Sequence, residues 1–186
     1  MRKIFCYSLF MICICPLYRA NSQETNLKQI SEYERVGSAA LQQLQGDWTS
    51  VWARCQISFG PGRPGYLGAS DPKTDRIDIW IRPGQTPSQV AATIAHELGH
   101  MFDFLYMTPE RRAQWYAMRN IPVNKPWYPC DMCSDYLLGA GDFAESVRWT
   151  FQGQSAKFMS KLGPPPTSEQ QALIRRWFAA AQTAKE

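Results

Sequence analysis

Residues 86–106 have the sequence TPSQVAATIAHELGHMFDFLY, which carries the strongest structural signals of the chain. Thr86 suits a helix N-cap, Pro87 suits the first helical position, and Gln89 completes a capping box. Apolar residues then recur at helical spacing as one stripe that we expect to face the core: Val90, Ile94, Leu98, Met101 and Leu105. The pattern predicts one amphipathic helix that ends at about Tyr106.

The opposite face of this helix carries the motif His96-Glu-Leu-Gly-His100, which has the form H-E-x-x-H. Histidines at positions i and i+4 stand one turn apart, so their imidazoles can take adjacent corners of a zinc tetrahedron. Glu97 lies about 100° further round the helix, where it can accept a proton from a water on the metal. We therefore expect one Zn²⁺ per chain. Asp103, one turn beyond His100, is expected to support an imidazole N–H and not to bind the metal.

Chance is a poor explanation of this motif. The chain has only 2 histidines, and both fall within it. From the composition, the motif is expected by accident in roughly one such sequence in a thousand. A di-iron site would need a second E-x-x-H segment, and no histidine is left to make one.

The rest of the chain predicts a small sheet followed by helices. Residues 51–59 and 76–82 alternate with period two and are separated by the Gly/Pro-rich stretch 60–68. Residues 78–81 are a candidate edge strand for an extended substrate, with an ordinary sheet strand as the alternative. Further helices are expected over about 24–45, 109–120, 142–152 and 167–185. The loop 121–141 is long enough, at 21 residues, to suggest a function.

Length and composition favour one exported domain. The chain has 186 residues and 45% hydrophobic residues, which suits a single packed core. A basic start, an apolar stretch over residues 4–17 and Ala20-Asn-Ser22 together predict a signal peptide over residues 1–22, followed by one domain over residues 23–186. An uncleaved membrane anchor is the alternative, but 14 helical residues reach only about 21 Å across a hydrocarbon core of about 30 Å. The expected location is therefore secreted or periplasmic, with no stable membrane insertion once the leader is removed.

Charge argues against a nucleic-acid partner. Residues 1–22 hold three of the 20 basic residues and no acidic residue, so the remainder is almost neutral. A protein that binds a phosphate backbone would need a concentration of positive charge.

Export leaves three cysteines in an oxidising compartment: Cys55, Cys130 and Cys133. One disulfide and one thiol are expected, and the spacing does not decide which residues pair. A redox role for Cys130-Asp-Met-Cys133 lacks a βαβ setting, and a structural zinc site lacks a fourth ligand.

Residues 76–152 resemble the zincin metallopeptidases, and specifically exported bacterial zinc metallopeptidases of the gluzincin type. The resemblance rests on His96-Glu-Leu-Gly-His-Met-Phe-Asp103, a cysteine-containing loop and Gly141-Asp-Phe-Ala-Glu145. It implies an α+β, zincin-like fold in which a small, mostly antiparallel sheet packs on the active-site helix, with a helical C-terminal part.

The resemblance also implies that the third zinc ligand is an acidic residue on a downstream helix, often followed four residues later by a second acid. Here the residue four before Glu145 is Gly141, which cannot bind a metal. Glu145 is the preferred ligand for its reach, and Asp142 is the alternative. The acid that does not bind zinc is expected to hold an imidazole N–H.

These residues predict a zinc metallopeptidase with a peptide or protein substrate and Glu97 as general base. Tyr136 and Tyr128 are candidate donors to the developing oxyanion, and Tyr136 is preferred. Two other functions stay open. One is a catalytically silent zincin-like binding protein with a structural zinc, and the other is a zinc hydrolase of a non-protein amide.

Overall fold

The computed structural model describes residues 32–128, 134–153 and 156–183. The expected signal peptide, Cys130 and Cys133 lie outside these residues. The elements in chain order are α1 (32–41), α2 (Thr49–Trp52), β1 (Gln56–Pro61), β2 (Gly68–Asp71), β3 (Arg76–Ile81), α3 (Pro87–Tyr106), α4 (Pro109–Arg119), a 3-10 turn (Asp135–Leu137), α5 (Gly139–Gln152) and α6 (Ser168–Thr183). The fold is mixed α+β, as the sequence predicts.

The sheet has three strands in the order β1-β3-β2, and its topology differs from the expectation. β1 pairs with β3 in parallel, and β2 pairs with β3 antiparallel, so the sheet is mixed and not mostly antiparallel. β3 lies in the centre, and its alternate residues Ile77, Ile79 and Ile81 are buried. The prediction that residues 78–81 form an edge strand is therefore wrong, because both sides of β3 are already paired. β2 is an edge of this sheet.

The expected strand over residues 51–59 is also wrong in its first half. Residues 49–52 form one helical turn, and the strand begins at Gln56. Trp48 and Val51 are both buried. Because they are three residues apart, a helical turn directs both side chains into the core, whereas a strand would send them to opposite faces.

α3 follows its sequence signals closely. The Thr86 hydroxyl accepts from the Gln89 N–H at 3.3 Å, and the Gln89 side chain accepts from the Thr86 N–H at 2.9 Å, so the predicted capping box is present. The apolar stripe is buried from Val90 to Met101. α3 packs against the sheet on one side and against α5 on another.

α3 and α5 approach closely at Gly99, where a Cβ would lie 2.8 Å from the Cα of Ala144. The absence of a side chain at this position therefore brings α5 up to the His96–His100 face of α3.

α5 begins three residues before the predicted start, at Gly139. Its first N–H groups are satisfied by the preceding segment: those of Gly139 and Ala140 donate to the carbonyls of Pro126 and Trp127 at 3.1 and 2.9 Å. Residues 139–148 are all buried, so α5 runs through the interior and is not half exposed. Its acidic side chains must therefore find charged partners inside the protein.

Within the three described ranges, no helix combines the length and the apolar composition that crossing a bilayer requires.

Candidate metal centre

The two histidines of the motif face each other one turn apart on α3, as the sequence predicts. Their Nε2 atoms are 3.2 Å apart, and their ring centroids are 4.9 Å apart. His96 is buried and His100 is half-buried. The pair therefore presents two ring nitrogens to one point at the edge of the core.

Asp135 supplies a third atom at this point. Its Oδ2 lies 3.1 Å from Nε2 of His96 and 3.2 Å from Nε2 of His100. Asp135 begins the 3-10 turn that leads into α5, so the packing of α5 on α3 holds this carboxylate against the helix. Among the described residues, His96, His100 and Asp135 form the group that can hold a metal ion.

The dimensions and the chemistry of this triangle fit a divalent cation. Ligands about 2.0–2.1 Å from a tetrahedral zinc lie roughly 3.3–3.4 Å from one another, close to the 3.1–3.2 Å observed here. Two imidazoles and one carboxylate are also a donor set that zinc accepts. Either protons shared in hydrogen bonds or a bound cation would relieve the repulsion between atoms brought this close.

The electrostatics of the cluster favour positive charge. Burial lowers the pKa of His96, but hydrogen bonds to Asp135 and Glu145 outweigh burial and raise it to about 10. Burial raises the pKa of Asp135, yet His100 and His96 hold it well below its ordinary value. The carboxylates around the two rings thus stabilise a cation at this position.

Glu145, the expected third ligand, lies beside the other ring nitrogen of His96. Its Oε2 is 3.1 Å from Nδ1 of His96. Arg148 binds both carboxylate oxygens at 2.8 and 2.9 Å, and the N–H of Met159 donates at 2.7 Å. The carboxylate therefore fixes the ring of His96 and orients its Nε2, instead of joining the triangle.

Asp142, the alternative ligand, forms its hydrogen bonds within the described residues to α4 and to the segment before α6. Arg119 binds its two oxygens at 2.7 and 2.9 Å, the indole N–H of Trp115 donates at 3.0 Å, and the Ser160 hydroxyl donates at 2.5 Å. The side chain is fully buried. These bonds tie α4 and the segment before α6 to α5, so Asp142 serves the fold.

Gly141 explains how Asp135 reaches the cluster. A Cβ on Gly141 would lie 2.2 Å from the carbonyl oxygen of Asp135 and 2.6 Å from its Oδ1. The space that a helix side chain would fill is therefore occupied by Asp135, which comes from the preceding turn.

Glu97 lies between α3 and the edge strand β2. The hydroxyl of Ser70 donates to its Oε2 at 2.6 Å, and a Cβ on Gly68 would lie 2.7 Å from its Cγ. Glu97 is buried, and its charge helps to raise the pKa of His96, so it lies within electrostatic reach of the cluster.

Asp103, expected to support an imidazole N–H, forms its hydrogen bonds within the described residues to Trp127 and Arg112. Its Oδ2 accepts from the indole N–H of Trp127 at 2.8 Å, and its Oδ1 accepts from Arg112 at 3.2 Å. Burial raises its pKa, against the opposing effects of these two partners. Asp103 therefore ties α4, through Arg112, and the segment after it, through Trp127, to α3.

Tyr136 and Tyr128, the two candidate oxyanion donors, have different surroundings. The ring of Tyr136 lies 5.5 Å from that of His96. Burial and the charges of Glu145, Asp135 and Glu97 raise the pKa of Tyr136, so its hydroxyl keeps its proton. Tyr128 is hydrogen-bonded to Arg112, whose guanidinium lies over its ring.

Cys55 is half-buried and forms no disulfide with any residue that the structure describes. Burial, with a contribution from Asp75, raises its pKa to about 11. Both expected partners lie outside the described residues, so the expected disulfide stays a prediction.

The chain matches no protein-family model, no curated protein and no solved structure.

Proposed function

We propose that this protein is an exported zinc metallopeptidase that hydrolyses peptide bonds. The observation that carries the proposal is the triangle of His96 Nε2, His100 Nε2 and Asp135 Oδ2, with sides of 3.1–3.2 Å, on the helix that also bears Glu97. Export is proposed from the leader pattern of residues 1–22.

His96, His100 and Asp135 are the proposed ligands. A zinc ion held there would polarise the substrate carbonyl and lower the pKa of a coordinated water. Glu145, with Arg148 behind it, keeps the proton of His96 on Nδ1 and leaves Nε2 free to bind. In the proposed ligand set, Asp135 takes the place of Glu145 and Asp142, the two carboxylates that the sequence favours.

Glu97 is the proposed general base and acid. It takes one proton from water as the water oxygen bonds to the carbonyl carbon. It then delivers that proton to the amide nitrogen as the C–N bond breaks. The products are a carboxyl group and an amine, and Glu97 returns to its starting state.

Tyr136 is the proposed donor to the carbonyl oxygen as negative charge develops on it. Its raised pKa keeps the hydroxyl protonated, and its ring stands beside that of His96. An uncharged donor already held in place stabilises an oxyanion without reorganisation during the reaction.

The geometry at Gly141 is the reason that we prefer the peptidase over the silent zinc-binding protein. That alternative rested on the missing acid at Gly141, and Asp135 puts a carboxylate against this same position. The hydrolase of a non-protein amide uses the same residues, and an assay on simple non-peptide amides, run beside the peptide library below, separates it from a peptidase.

The test combines metal content with turnover. We expect the purified protein to contain one zinc per chain and to cleave members of a degenerate peptide library, with cleavage abolished by a chelator and restored by zinc. Glu97→Gln should keep zinc and lose turnover by a factor of about 10² or more. Asp135→Asn should lose zinc and turnover together. Asp47→Asn, an exposed carboxylate on the segment before α2, is the matched control and should change neither.

Three results would overturn parts of this proposal. Zinc binding with no cleavage of any peptide would reject the peptidase, and cleavage of only simple amides would favour the other hydrolase. Full zinc occupancy in Asp135→Asn together with its loss in Glu145→Gln would return the third ligand to Glu145.

A further inference from the structure

We propose that Ser70 is a positioning residue for Glu97. Ser70 binds the carboxylate of Glu97, and Gly68, on the same face of β2, leaves the space that this carboxylate occupies. The inference rests on the proposed function, in which Glu97 transfers the proton.

The hydrogen bond from Ser70 is short and crosses from the sheet to α3. Its hydroxyl lies 2.6 Å from Oε2 of Glu97, a distance typical of a hydroxyl that donates to an ionised carboxylate. The same hydroxyl lies 3.0 Å from the carbonyl oxygen of Glu97, so it also contacts the helix backbone. The Ser70 hydroxyl thus lies close to both the side chain and the backbone of Glu97.

Gly68 provides the space that this arrangement needs. Residues 68 and 70 are two apart on β2, so they share one face of the strand. A Cβ on Gly68 would lie 2.7 Å from Cγ of Glu97 and 2.8 Å from its Oε1. Any side chain there would displace the carboxylate from the position in which Ser70 binds it.

The Ser70 bond engages one carboxylate oxygen of Glu97 and leaves the other, which packs beside Gly68, as the oxygen that can accept a proton. Within the described residues, Oε2 accepts from Ser70, and no hydrogen bond engages Oε1. A carboxylate held by one oxygen keeps the other in a fixed place, ready to accept a proton. Among the described residues, the Ser70 hydroxyl is hydrogen-bonded to Glu97 and to none of the proposed metal ligands, so we expect its effect to pass through the base.

This geometry predicts that loss of the Ser70 hydroxyl lowers kcat without changing substrate or zinc binding. Ser70→Ala should lower kcat by about tenfold to a hundredfold, the range expected for losing a hydrogen bond to a charged group. KM should stay within about twofold, and zinc should remain at one per chain. Ser70→Thr keeps the hydroxyl on a residue that suits strands, so it should recover most of the lost kcat.

Ser58→Ala is the matched control. Ser58 is also a half-buried serine of this sheet, and its hydroxyl bonds to Asp78 on β3, not to Glu97. This variant should retain the parent kcat and KM. Gly68→Ala provides a second test from the other contact and should lower kcat while zinc stays bound.

A measurement that does not depend on turnover completes the test. The stabilities of Ser70→Ala, Glu97→Gln and the double variant are compared by urea unfolding with zinc present. If Ser70 holds Glu97, the midpoint shifts of the two single variants will not add in the double variant. Additive shifts, or an unchanged kcat in Ser70→Ala, would overturn the positioning role while leaving the peptidase intact. An inactive parent protein would overturn the proposed function. If the midpoint shifts of the variants were non-additive in such an inactive protein, the Ser70–Glu97 hydrogen bond would have a structural role only.

Discussion

Asp135 occupies the volume that a side chain at Gly141 would need. The carbonyl oxygen and Oδ1 of Asp135 lie 2.2 and 2.6 Å from the position of a Cβ on Gly141. The glycine is therefore not a gap in the proposed metal site. It is the condition under which a carboxylate from the preceding turn can enter that site, and this makes the two positions interdependent.

Gly141→Ala should weaken zinc binding. The added methyl group meets backbone atoms that cannot rotate away, so the 3-10 turn and the Asp135 carboxylate must shift. We expect a zinc affinity at least about tenfold lower and a loss of roughly 1–3 kcal/mol in stability, as for overpacking elsewhere. Competition with a zinc-binding dye and urea unfolding would measure the two effects.

Gly60→Ala on β1 is the control for that substitution. A Cβ on Gly60 would meet nothing within 4 Å. This variant should bind zinc like the parent protein. Equal zinc affinities in Gly141→Ala and in the parent would refute the dependence of Asp135 on Gly141.

Glu145→Gln should affect both the metal and the fold. Without its charge, the side chain holds the Nδ1 proton of His96 less firmly, and we expect zinc affinity to fall about 10–100-fold. Arg148 is buried and would lose its charged partner, which typically costs about 3–5 kcal/mol. Zinc titration of the folded fraction separates the two effects. No loss of affinity in that fraction would mean that Glu145 has no role in orienting His96.

Asp142→Asn should lower the stability of the fold and leave the zinc affinity unchanged. Arg119 and Asp142 form a buried ion pair with two hydrogen bonds, so removal of the negative charge should destabilise the protein by about 3–5 kcal/mol. The folded fraction should bind zinc with the parent affinity, because Asp142 is directed toward α4. Calorimetric zinc titration well below the melting temperature checks this, and a large loss of affinity would restore Asp142 as a candidate ligand.

Local signals made α3 and its histidine pair predictable. A capping box, a proline at the first turn and an apolar stripe all lie within residues 86–106, and none depends on distant contacts. The His96–His100 relationship follows from helix geometry alone. The same holds for α4, whose start at Thr108 and Pro109 carries comparable signals.

The parts that could not be predicted depend on contacts across the chain. β2 has the sequence Gly-Ala-Ser-Asp, which lacks β-branched and aromatic residues, and it is a strand because β3 pairs with it. Asp135 comes from a loop 35 residues beyond His100, and no periodicity connects the two. The length of the 121–141 loop and the glycine at position 141 were the available signals, and neither identified which acid would fill the space.

Removal of the metal should lower thermal stability in a way that depends on Asp135. A ligand that binds only the folded state at about a thousand times its Kd adds about 4 kcal/mol, which corresponds to roughly 8–16 °C in a domain of this size. We therefore expect a chelator to lower the melting temperature of the parent protein by about 10 °C. Glu97→Gln should show the same shift, because this residue is not a proposed ligand. Asp135→Asn should melt at one temperature with or without the chelator, because zinc can no longer join the 3-10 turn to α3. Differential scanning fluorimetry of the three proteins provides the comparison, and an equal chelator shift in Asp135→Asn would exclude Asp135 from the ligand set.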